Sequence, residues 1–150
     1  MMTSRKYEND DYTFILQCVR ESNDWQEEEC NISEIDHYLK EYEHVNGEWL
    51  VWCEEDKEIG ISYSVDQAQS NGRPWLGTIL VHPAYQRSGY GKSVISQLVK
   101  RWSAKGEKVA YAAVPIMRQE WISFLSACGF EQYKIEKEGD KTYLLCIIPL

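Results

Sequence analysis

The 150-residue chain has no long apolar run, no paired-cysteine motif and no excess of positive charge. Each absence removes a class of function. Nothing approaches the roughly 18 consecutive apolar residues that a membrane-crossing helix needs, so no membrane is expected among its partners. The opening residues, MMTSRKYENDDY, lack the basic-then-apolar pattern of a secretory signal, which gives the expectation of a cytoplasmic protein. The five cysteines (Cys18, Cys30, Cys53, Cys128, Cys146) are odd in number and scattered, with no C-x-x-C pair. That spacing argues against a disulfide framework and against a structural zinc site. His37, Glu41 and His44 fall on one helical face, but at a spacing ordinary for exposed residues, and no metal is expected. A formal charge of −8 leaves too few clustered Lys and Arg to hold a nucleic-acid backbone.

What is present is material for one core: 43% apolar residues, including six Trp and ten Tyr. With no repeat, low-complexity tract or linker, a single domain over residues 1–150 is expected. A short strand near Ser4–Tyr7 is followed by Tyr12, Ile15, Leu16 and Val19, whose spacing predicts a helix. Asn31 with Glu34 three residues on reads as a capping box, opening a second helix through Ile32, Ile35, Leu39 and Tyr42. Between them Ser22–Cys30 reads as an acidic loop carrying Asp24, Glu27, Glu28 and Glu29. EWLVWCEE and EIGISYSV flank Asp56-Lys57 as a hairpin, and Ile59, Ile61, Tyr63 and Val65 alternate with Gly60, Ser62 and Ser64 as in a half-buried strand. The turn Ser70–Pro74 leads to an apolar strand, WLGTILVH. Val94, Ile95, Leu98, Val99 and Trp102 mark the core face of a long helix stopped at Gly106. KVAYAAV is a strand, Trp121 to Cys128 a helix ending at Gly129, and a closing hairpin turns at Glu138–Asp140. The order is β-α-α-β-β-β-α-β-α-β-β, a mixed α/β sheet.

One junction carries chemistry. Gln86-Arg87-Ser88-Gly89-Tyr90-Gly91-Lys92-Ser93 lies between a buried strand and a helix start. Glycines there let the backbone turn tightly, and the N–H groups and positive end of the helix attract an anion without any required side chain. An ordinary strand-to-helix turn has the same look. From Gln86 to Lys108, six basic residues (Arg87, Lys92, Lys100, Arg101, Lys105, Lys108) stand against Glu107 alone. This suits either a compact anionic ligand or a solvated helix face. The triphosphate-binding pattern G-x-x-x-x-G-K-S/T would need glycine where Gln86 stands, and the dinucleotide pattern G-x-G-x-x-G a small residue at Val94.

The motif Q-x-x-G-x-G, as Gln86 to Gly91, following ILVHPAY and opening an amphipathic helix, resembles the acetyl-CoA-binding motif of the GNAT superfamily of N-acetyltransferases. The element order and the Gly129-Phe130 pair after the last helix fit the same family over nearly the whole chain. The resemblance implies a mostly antiparallel central sheet with flanking helices. It also implies acetyl-CoA as co-substrate and transfer of acetyl to a primary amine, with a small-molecule acceptor as the leading expectation. The backbone of Ile79, Leu80 and Val81 would pair with the pantetheine arm. The N–H groups from Arg87 through Ser88, Gly89, Tyr90 and Gly91 to Lys92 would hold the pyrophosphate, assisted by Ser93. The strands of Val81 and Ala110–Val114 would splay for the thioester. The acceptor would enter between Ser22–Cys30 and the last hairpin.

Two departures from the family pattern bear on mechanism. The position of the usual proton-donating Tyr is Leu125, and that of a frequent Glu on the fifth strand is Ala113. A frequent Asn is replaced by Arg118. Tyr111, two residues before Ala113, is the first substitute, with a pocket-wall role as its plain alternative. A non-catalytic acyl-CoA-binding module and a protein amine acceptor stay open, as does a homodimer. Trp25, Trp49, Trp52 and Trp75 are read as core or as an aromatic acceptor wall, and His82 as a surface residue.

Overall fold

In the computed structural model, which describes residues 2–43 and 46–150, seven strands hydrogen-bond in the order β1-β2-β3-β4-β5-β7-β6. The chain divides into two compact units, each set out below by itself.

The first unit is Met1–Val65 with Thr78–Val94. Strand β1 (Met2–Lys6) pairs antiparallel with β2 (Gly47–Glu54), and β2 with β3 (Lys57–Val65). The first strand thus begins two residues earlier than its composition suggests. Helix α1 (Tyr12–Arg20) buries Ile15, Cys18 and Val19. Its entry is clamped by Asp11, whose carboxylate takes two bonds from the Arg5 guanidinium at 2.6 and 2.7 Å and a third from the Glu8 N–H at 2.9 Å. The Arg5 bonds hold the Asp11 carboxyl below the usual carboxylate range despite its burial.

Three expectations are corrected in this unit. Ser22–Cys30 is not a loop: Asn23–Glu28 forms a short helix, α2. The capping box at Asn31 is absent, because Ile32–Glu34 forms a 3-10 turn without a side-chain cap and helix α3 starts only at Ile35, running to Glu43. Strand β3 is not half-buried: every residue from Ile59 to Val65 is buried. Ser62 can be covered because its hydroxyl accepts the Trp52 indole N–H at 2.8 Å, and Trp52 is itself fully buried. His44 and the side chain of Glu28, named in the sequence reading, lie outside the described residues.

The second unit is Asp66–Gly77 with Ile95–Leu150. Strand β4 (Trp75–Val81) begins here and runs parallel to β5 (Val109–Pro115) through Trp75↔Tyr111 and Leu76↔Ala112. Strand β7 (Lys141–Pro149) pairs antiparallel with β5 along its length and with β6 (Glu131–Glu138) in a hairpin. The sheet is therefore mostly antiparallel, with β4 and β5 running parallel. Helix α4 (Tyr90–Ala104) buries Ile95, Leu98 and Trp102 in this unit, while helix α5 (Gln119–Ala127) buries Ile122 and Leu125. Asp66 takes the Trp102 indole N–H at 3.0 Å and the Lys105 ammonium at 2.6 Å. One of the six charges of the basic segment is thereby neutralised.

Among the described residues no cysteine forms a disulfide, and Cys18 and Cys146 are buried. Burial pushes the Cys18 thiol up to about 12 and the Cys30 thiol up to about 11, so neither is a ready thiolate.

Candidate functional site

The candidate residues from Ile79 to Ser93 form one continuous strand–turn–helix inside the first unit. Ile79 and Leu80 are buried, and Val81 is half-buried. After them, Pro83–Tyr85 makes a 3-10 turn capped by His82, whose Nδ1 accepts the Ala84 N–H at 3.1 Å. Its Nε2 faces Glu21 Oε2 at 3.2 Å. With the Phe14 ring stacked 6.2 Å away, His82 is a structural bracket of the turn and not the surface residue its sequence position suggests.

The next residues bend the chain sharply. The Gln86 side chain folds back, its amide N–H donating to the Val81 carbonyl at 2.9 Å. Of the three pantetheine-strand candidates, Val81 thus has its carbonyl occupied by the chain itself. Arg87 and Gly89 both take left-handed backbone, with φ of 64° and 83°. Glycine adopts that conformation freely, and the turn it permits delivers the chain to the start of α4. The first bond of that helix runs from the Ser93 N–H to the Gly89 carbonyl at 3.1 Å. The N–H groups of Tyr90, Gly91 and Lys92 have no carbonyl one turn back, so they are the helix's unsatisfied first-turn donors. Gln86 to Gly89, Lys92 and Ser93 are exposed, while Tyr90 and Gly91 are half-buried.

A further cation, unmarked in the sequence reading, stands on this surface. Lys57 Nζ lies 4.6 Å above the Tyr85 ring, and its hydrogen bond with Tyr85 raises its pKa. Tyr85 in turn meets Tyr90 edge-on at 6.4 Å. No sequence pattern joins Lys57 to the turn; the β2–β3 hairpin brings it there.

Helix α2 is tied to the same strand. Trp25, 8% exposed, donates its indole N–H to the Thr78 hydroxyl at 3.0 Å, one residue before Ile79. Beside it Tyr38 meets Trp25 edge-on at 5.5 Å and donates its hydroxyl to Glu29 Oε2 at 2.7 Å. Burial, and after it the charge of Glu29, push the Tyr38 and Tyr42 hydroxyls up, so both phenols stay protonated. The Trp49 indole nitrogen and the Ser22 hydroxyl are buried without a hydrogen-bond partner among the described residues. Trp25, Trp49 and Trp52 are buried, Trp75 half-buried.

The residues considered for proton transfer lie in the second unit. Leu125 is fully buried and Ala113 exposed. Tyr111 is half-buried, stacked on Trp75 at 5.0 Å and edge-on to Tyr133 at 6.4 Å. Among the described residues no cluster of His, Cys, Asp and Glu suits a metal ion, and no helix is long and apolar enough to cross a membrane.

A family model described as the acetyltransferase (GNAT) family matches residues 12–130. Uncharacterized protein YkzC of Bacillus subtilis strain 168 is 44% identical over 127 residues, covering 84% of this chain and 89% of its own. A spermidine N-acetyltransferase from Vibrio cholerae, solved with CoA and spermine, superposes with a TM-score of 0.72 at 17% identity, over 99% of this chain and 95% of that one. The ribosomal-protein-S18-alanine N-acetyltransferase from Escherichia coli superposes at 0.70 and 15% identity, over 99% and 94%.

Proposed function

Because the chain belongs to the GNAT acetyltransferase family, we propose that it transfers acetyl from acetyl-CoA to a primary amine of a small, cationic acceptor. The observation that carries the reading is the junction of β4 and α4: left-handed Gly89 ahead of three unsatisfied N–H groups at Tyr90–Lys92. An exposed helix start of this kind binds a pyrophosphate by backbone alone. Lys57, Arg87 and Lys92 add charge from side chains, and Ile79 and Leu80 offer strand backbone to the pantetheine arm. Acetyl-CoA supplies a thioester carbonyl that a neutral amine attacks, with the CoA thiolate leaving.

The chain's own part is mainly positioning, which can account for much of a rate enhancement when the reacting groups are held close. Leu125 and Ala113 cannot exchange protons. Tyr111 is the substitute candidate, and its loss would cost about 10²-fold or more if it protonates the leaving thiolate.

The acceptor side is assigned to α2 and the residues after it. The Trp25–Thr78 bond fastens this segment to β4, and Glu29 presents a carboxylate beside Tyr38. A carboxylate among aromatic rings favours an ammonium over a neutral or acidic group. The two structural neighbours are named for spermidine and for a protein alanine as acceptors. Small-molecule transfer is preferred here because of Glu29 and its aromatic surroundings.

The test is thiol release from acetyl-CoA with a panel of alkylamines, diamines, polyamines and N-terminal peptides, with product masses recorded. Turnover is expected with cationic small amines. Glu29→Gln should raise their KM about tenfold with kcat little changed, the loss of one charge-assisted contact. CoA binding without turnover on any amine would leave an acyl-CoA-binding module, and turnover on peptides alone would move the acceptor to proteins.

A further inference from the structure

Strand β6 closes the strand order at one end, and every residue from Glu131 to Glu138 is exposed. Tyr133 and Ile135, at 56% and 57%, are two of the three exposed large hydrophobic side chains among the described residues. The ladder with β7 shifts between Gln132 and Lys134 and is regular from Lys134 to Glu138. The direction of its backbone groups follows from β7. The Thr142 carbonyl accepts the Ile116 N–H, on the β5 side of β7. The pair Lys137↔Thr142 is therefore of the non-hydrogen-bonded kind. Lys137 and, two residues back, Ile135 turn their N–H and C=O groups away from β7. These groups form an unpaired strand edge with a defined phase.

An open edge is ordinarily guarded by charge, because a second strand brings like charges together. The segment Tyr133-Lys134-Ile135-Glu136-Lys137 does the opposite under a two-fold axis. With Ile135 opposite Ile135 of the partner subunit, both carry outward backbone groups and exchange two hydrogen bonds. Lys134 then faces the partner's Glu136, and Glu136 the partner's Lys134. Within one chain Lys134 and Glu136 already lie on one face, 3.1 Å apart, so pairing extends an ion pair into a four-charge ladder. Centring the axis on Lys137 instead sets Glu136 against Glu138 and Lys137 against itself. The opposite edge, β1, carries only the basic Arg5 and Lys6, and Arg5 is committed to Asp11.

We propose that a second copy of this chain docks on β6, antiparallel and centred on Ile135, giving a symmetric dimer with one continuous sheet. The occupant is a second copy and not an unrelated strand because the charge order is complementary to itself. A short strand pair makes a small interface, so the dimer is a dynamic one.

Sedimentation velocity over roughly 1–500 μM, the range a small interface demands, tests this. The wild type is expected to shift from monomer to dimer as concentration rises. Lys134→Glu and Glu136→Lys alone each place like charges in both cross-strand pairs, and each should weaken dimerisation about tenfold or more. The double variant Lys134→Glu/Glu136→Lys restores both pairs and should restore the dimer. Both substituted positions are exposed, and unchanged melting temperatures will show that the fold is intact. A monomer at every concentration, a dimer indifferent to the single reversals, or singles that weaken it without rescue by the double variant would each overturn the proposal.

Discussion

Gly60→Val is expected to lower stability by roughly 1–3 kcal/mol, the usual effect of overpacking a closed site, and to weaken acetyl-CoA binding with it. The first added carbon would stand 2.7 Å from the Leu80 carbonyl oxygen and 3.1 Å from the Val81 Cα. Both are main-chain atoms of β4, so no rotamer change relieves the contact. The strand must move, and Ile79 and Leu80 in it are the residues assigned to the pantetheine arm. Each kcal/mol lost should lower the melting temperature by roughly 2–4 °C for a chain of this size. Calorimetric titration then separates the two consequences. A lower melting temperature with unchanged acetyl-CoA affinity would mean that β4 does not hold the arm.

The second large effect concerns the turn. Gly89 has φ of 83° and open space around the position where a Cβ would sit. Nothing blocks a side chain there; only the backbone conformation does. A β-branched residue held in left-handed space costs on the order of 1–3 kcal/mol, so Gly89→Val should relax toward ordinary backbone and re-aim the N–H groups of Tyr90 to Lys92. Acetyl-CoA affinity is expected to fall about tenfold or more, since each misaligned charge-assisted bond is worth roughly 1.5 kcal/mol or more. Gly89→Asn, whose side chain tolerates this region, should retain most of it. Equal binding by Gly89→Val and the wild type would remove the pyrophosphate from this turn.

Periodicity and punctuation located most of the fold, because strands and helices with one apolar face repeat visibly. Val94, Ile95, Leu98 and Trp102 are buried on α4 as their spacing requires, while Val99, read with them, is half-buried. The failures have local causes. Among its described side chains helix α2 has a single buried anchor, Trp25, amid polar residues, so it offers no period to read. The Ser62 and Ser64 positions of β3 alternate like a solvent face, yet a tryptophan indole makes Ser62 at home in the core. Strand order was likewise out of reach: β7 lies between β5 and β6, a placement set by long-range pairing and not by the hairpin that joins β6 to β7.

For the candidate site, the motif from Gln86 to Gly91 stood in plain view, since glycine at a strand-to-helix turn has a reason that local sequence carries. Lys57 and Thr78 did not. Lys57 reaches the turn from a hairpin 28 residues before Tyr85, and Trp25 meets Thr78 across 53 residues of chain. Proton transfer was the least legible part, because Leu125 and Ala113 say only which groups are missing.

A thermal melt with acetyl-CoA, CoA and ATP in parallel tests the central claim most directly. At a hundred times its dissociation constant a ligand adds about 2.7 kcal/mol, a shift of roughly 5–10 °C here. The account predicts that shift with both CoA forms and none with ATP. No shift with CoA, or an equal one with ATP, would contradict it.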